Sequence, residues 1–82
     1  MKVAEAAELV MRDRGASTCW YGDPDLIQEI AERAGVKARH PLSRSAAVVG
    51  ALARSPRFTL AGYIRHLGHR YPVYQLASGS AP

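Results

Sequence analysis

The spacing of apolar residues changes once along this chain, at Pro56, and that change limits the possible folds more than any other feature. Up to Arg54 the apolar positions recur every three to four residues; after Pro56 they alternate. A chain that reads largely helical first and β afterwards builds a small α+β domain. Its 82 residues leave room for one domain, placed at 1–77, with 78–82 read as a frayed polar tail. With 48% hydrophobic and 22% charged residues, the composition fits a globular domain and excludes an extended disordered chain.

Val3, Ala6, Ala7, Val10 and Met11 form one helical stripe, and Gly15 closes it. Ser17-Thr18-Cys19-Trp20-Tyr21 is rich in β-formers and too short for a helix, which predicts a short strand. Asp23-Pro24-Asp25 starts a second helix: Asp23 suits the cap, Pro24 the first helical position, and both carboxylates the positive end of the dipole. Leu26, Ile27, Ile30, Ala31 and Ala34 share its buried stripe, and Gly35 stops it. Pro41 keeps His40 out of helical geometry. Ser43 is then the expected cap of a third helix, with Leu42 stapled on Ala46 or Ala47, running to about Arg54 before Ser55-Pro56. Beyond it, Phe58, Leu60, Gly62 and Ile64 alternate with Thr59, Ala61, Tyr63 and Arg65. A second β-run from Tyr71 to Ala77 follows a turn at Leu67-Gly68-His69-Arg70, giving a two-stranded hairpin with a basic tip.

Charge divides at Gly35. Residues 1–35 hold four basic and seven acidic side chains, a balance of −3, whereas residues 36–82 hold seven basic side chains and no acid, a balance of +7. All three histidines lie in the second part as well. Cations left without acids repel one another until a polyanion neutralises them, and nucleic acid is the leading candidate. The expected phosphate grip sits at the start of the third helix, with Ser43, Arg44 and Ser45 beside Arg39 and His40. Arg57, Arg65 and Arg70 form a second anchoring point on the hairpin, where His66 and His69 also lie. From that helix only Arg44, Ser45 and Arg54 reach a base edge easily; Ala46, Ala47, Gly50 and Ala51 occupy its middle, where a base reader often carries Asn, Gln or Arg, so phosphate contact and shape are expected to dominate.

The order helix, short strand, helix, helix, hairpin resembles a winged helix-turn-helix domain. The likeness is clearest from Pro41 to Ala77, and the pattern Leu52…Arg57-Phe58…Leu76-Ala77 resembles the HARE-HTH subgroup. The resemblance implies a third helix, Ser43 to Arg54, on the major groove of double-stranded DNA and a wing, Arg65 to Arg70, on the backbone or minor groove. A small transcriptional regulator or architectural factor is the function it implies, without catalysis or cofactor. The connector from Gly35 to Leu42 is longer than the turn of a compact helix-turn-helix.

Other chemistries have weaker support. Cys19, His40, His66 and His69 offer zinc-type donors, but only His66 and His69 are closely spaced. No motif ties Cys19 to a histidine as a nucleophile would require. The main alternative is a winged-helix module for protein contacts, docking or dimerising through the acidic first two helices at Glu5, Glu8 or Glu29, or along Val3, Val10 and Met11. The longest apolar run, Ala46 to Ala53, is too short for a bilayer. Glu5 and Glu8 interrupt the stretch a secretory signal would need, and the lone cysteine suits a reducing compartment, so a cytoplasmic, nucleoid-associated location is expected.

Overall fold

The apolar stripes become three helices, α1 (Val3–Arg14), α2 (Pro24–Ala34) and α3 (Pro41–Ala53), and the β-runs become β1 (Thr18–Trp20), β2 (Phe58–His66) and β3 (His69–Leu76). The structure is a computed structural model and describes residues 1–77; the expected tail at 78–82 lies outside the described residues. Gly15 and Gly35 close α1 and α2 in the left-handed conformation, with φ of 67° and 72°. In each case the next residue donates back to the last turn, Ala16 N–H to Met11 O and Val36 N–H to Ala31 O, both at 2.9 Å. Asp23 occupies the cap position of α2 through its backbone, and its side chain makes no cap bond.

α3 begins earlier than the serine signal predicts. Pro41 takes the first helical position and His40 is the cap, its Nδ1 accepting from Leu42 N–H at 3.2 Å. Proline fits there because that N–H has no intrahelical partner in any case. Ser43 therefore lies inside the first turn, and Leu42 is exposed rather than stapled.

The strands form one antiparallel sheet in the order β1-β3-β2, so the expected two-stranded hairpin is instead part of three strands. β1 pairs with β3 through Thr18↔Gln75, Cys19↔Tyr74 and Trp20↔Val73. The hairpin turn is Leu67-Gly68 alone, with His66 paired to His69 and Arg65 to Arg70. Positive φ at both turn residues, 51° and 80°, is the geometry of a primed two-residue turn. His69 and Arg70, expected in the turn, are strand residues.

β2 also breaks the predicted alternation. Leu60 pairs with Tyr74 and Gly62 with Val73, which leaves Ala61 as a bulge. An extra residue reverses which face each later side chain takes. Phe58 and Leu60 thus share a face with Tyr63 and Arg65, and Ile64 moves to the face of Val73 and Trp20.

The core lies between the three helices and one end of this sheet. Ala6, Ala7, Val10 and Met11 of α1 meet Leu26, Ile27, Ile30 and Ala31 of α2 and Val48, Val49 and Leu52 of α3, with Cys19 and Phe58 closing the sheet side. Alanines at the α1 and α2 positions let the backbones approach closely, which a thin core in a short chain requires. No helix among the described residues is long and apolar enough to cross a membrane.

Candidate nucleic-acid interface

The basic residues depend on two elements, the start of α3 and the hairpin. The groove of about 380 Å³ beside them is lined by Pro41, Leu42 and Ser45 from α3, by His66 and Leu67 from the hairpin end, and by Trp20, Tyr21 and Tyr71. The start of α3 and the hairpin tip therefore border one groove, with His66 its one basic side chain and Arg65 and Arg70 on the other face of the ribbon. Tyr21 bridges it, its ring stacked on Tyr71 with centroids 5.3 Å apart and its hydroxyl donating to Leu42 O at 3.4 Å. Trp20 meets His66 edge-on at 6.1 Å and Tyr71 at 6.0 Å.

Arg65 and Arg70 are directly opposed on one face of the hairpin. The Arg70 guanidinium carbon stands 4.4 Å from the centroid of Tyr63, a cation–π contact. His66 and His69 are opposed on the other face, beside Trp20 and Tyr71. The hairpin set is thus divided between two faces of a ribbon.

At α3, Arg39, His40 and Ser43 are exposed and Arg44 is half-buried. Arg44 N–H already donates to His40 O at 3.0 Å, and Leu42 N–H is taken by the His40 ring. Ser43 supplies the remaining N–H of this turn. Ser45 is 8% exposed at the base of the groove, a poorer position for a phosphate contact than the sequence suggests. Ala46 and Ala47 do face outward, which gives the middle of α3 a short, smooth surface.

Arg54 and Arg57 stand apart from this group. Arg54 follows the far end of α3, beside Met1 and Lys2, and a 13-residue helix separates its ends by roughly 20 Å. Arg57 donates to Glu8 Oε1 at 2.6 Å, so the basic segment is not wholly unpaired. Among the described residues, Lys37, Arg39, Arg44, Arg54, Arg65 and Arg70 form no ion pair with an acid, and residues 36–82 contain no acid to offer one.

The acidic side behaves differently. Arg14 and Arg33 both bind Glu29, and Arg33 reaches Asp13 at 3.2 Å, which ties the end of α1 to α2. Glu8 is held below the usual carboxylate range by hydrogen bonds from Arg12 first and Arg57 second. Val10 and Met11 are fully buried, so the apolar seam considered for dimerisation is already used inside the chain.

Cys19 is buried in β1, and loss of solvent, with the nearby Asp23 charge adding to it, pushes its thiol up to about 12. Among the described residues no three His, Cys, Asp or Glu side chains are grouped to hold a metal ion. Compared with known protein families, with curated proteins and with solved structures, the chain matches none.

Proposed function

We propose that this chain is a winged-helix-type module that binds double-stranded DNA without turnover, as a small regulator or architectural factor. The start of α3 lies against the duplex and the β2–β3 hairpin serves as the wing. One observation carries the reading. Arg65 and Arg70 are held directly opposite each other, with no acid among the described residues paired to either, on a hairpin whose other face, through His66, borders the groove at the start of α3. Like charges opposed across a hairpin are unfavourable by themselves, and a polyanion reverses the sign of that term. The element order and the β1-β3-β2 sheet support the winged-helix assignment, and the exposed Ala46 and Ala47 suit a helix that approaches the backbone closely without reading bases.

Arg39, Arg44, Arg65 and Arg70 are the phosphate contacts in this reading. Four such contacts give a slope of log K against log salt of roughly −4. The test is a salt titration on unrelated duplexes. Arg44→Ala and Arg70→Ala should each weaken binding on every sequence and flatten the slope by about one unit. Unchanged binding by both variants overturns the reading.

A second reading, a module for protein contacts, draws on the exposed Leu42, Leu60 and Leu67. It predicts little duplex affinity at moderate salt and loss of partner capture on charge reversal at Glu5. Glu8 and Glu29 are less suited to that role, since arginines of the same chain already occupy them.

A further inference from the structure

Leu67 combines two unfavourable properties. It is 85% exposed, the most of any large apolar residue described, and it is the one described non-glycine residue with positive φ, at 51°. The first position of a primed two-residue turn favours Asn, Asp or Gly; a leucine there strains the backbone and gains almost no burial. The paired strands on either side hold that strain in place, and residues held in this way cluster at sites with a function. Its neighbours indicate what that is: the Arg65–Arg70 pair lies on one face of the ribbon and the His66–His69 pair on the other.

We propose that Leu67 is an apolar wedge that enters the minor groove of duplex DNA and opens a base step. The proposal rests on the duplex-binding reading. A leucine with guanidinium groups on one side and imidazole N–H groups on the other matches a groove whose two phosphate rails flank an apolar base stack. Apolar side chains inserted at a step unstack it and kink the duplex, and the added contact along the bent DNA offsets the unstacking. The wedge gives an otherwise sequence-indifferent protein a preference for easily unstacked pyrimidine–purine steps.

The experiment uses the full chain, a duplex carrying 2-aminopurine at a central TA step, and donor and acceptor dyes on its ends. Wild type should raise the 2-aminopurine emission and shorten the end-to-end distance. Leu67→Asn should keep the salt slope, lose roughly ten- to a hundredfold in affinity, and leave both optical signals at their free-DNA values. The same variant should melt at a higher temperature, because asparagine accepts the left-handed conformation more readily. Leu67→Met should restore both signals. Wild-type binding with an unperturbed base step overturns the wedge and leaves the duplex-binding reading intact; absence of duplex binding overturns both. A lower melting temperature for Leu67→Asn would make the leucine a packing residue, and Leu67-dependent capture by phosphatidylglycerol vesicles without any change in the DNA signals would assign it to lipid; either overturns the proposal.

Discussion

The indole of Trp20 lies across the backbone of Gly22 so closely that a Cβ at position 22 would stand 2.4 Å from its ring. The first residue after Tyr21 must therefore lack a side chain, or the indole must leave His66 and Tyr71. Gly22→Ala should cost about 1–3 kcal/mol, the usual range for forcing a packed group aside. Trp20 is the single tryptophan, so its emission reads the displacement directly in the native protein, and a melting curve gives the cost. An unchanged spectrum and midpoint would contradict the contact.

Cys19 makes stability depend on alkaline pH. Its thiol titrates near 9.0 when free and is pushed up to about 12 by burial. A proton held more tightly in the native state stabilises it fully below pH 9, and this contribution is lost as pH rises from 9 to 12, at about 1.4 kcal/mol per unit. Subtracting the stability curve of Cys19→Ala from that of wild type isolates this slope from every other contribution. The thiol should also resist alkylation at neutral pH until the chain unfolds.

Glu8 has the opposite sign. Its native carboxyl is held below the ordinary 4.5 by Arg12 and Arg57, so its contribution is present above pH 4.5 and is lost as pH falls through the lowered native value. Arg57→Ala should flatten that acid limb in pH-dependent denaturation and cost about 0.5 kcal/mol or less at neutral pH, as exposed pairs do. Duplex affinity should remain within about twofold of wild type, in contrast to Arg44→Ala, because this arginine is already neutralised. A large loss of affinity in Arg57→Ala would return it to the interface.

Gly50 lies in the interior of α3 with ordinary helical backbone, and the nearest group to an added Cβ is the flexible end of Arg54 at 3.4 Å. Gly50→Ala should therefore stabilise the protein by about 0.5–1 kcal/mol through helix propensity alone. Chemical denaturation with an unchanged m-value checks it. Loss of stability would mean that the Arg54 side chain is less free to move than its exposure indicates.

The helical part of this fold is legible in the residues themselves. α1 and α2 begin and end where their stripes and glycines place them, because those signals are local and nothing tertiary competes. α3 starts at Pro41 because a histidine nitrogen caps it, a weaker pattern than the serine two residues on. The β part is less legible for a different reason. Alternation continues through Ala61 in the sequence, and only pairing with β3 reveals the bulge that reverses Tyr63 through Arg65. The candidate site follows the same division. Arg39 and Arg44 flank the start of α3 as the local pattern places them, whereas Arg70 is a strand residue rather than part of the turn, the Arg57–Glu8 pair spans 49 positions and Ser45 is buried by packing, none of which local spacing encodes. The signal at Leu67 was available: a leucine before glycine, where hairpins favour Asn-Gly, marks a residue not chosen for the turn.

Every acid is confined to the first 35 residues, and although arginines already neutralise Glu8 and Glu29, the charge stays unevenly divided between the two parts of the chain. Under the proposed duplex binding, such unevenness turns the molecule in the field of the DNA before contact. Correct orientation is then settled at the range of the Debye length, about 10 Å at 0.1 M salt, and fewer collisions are wasted.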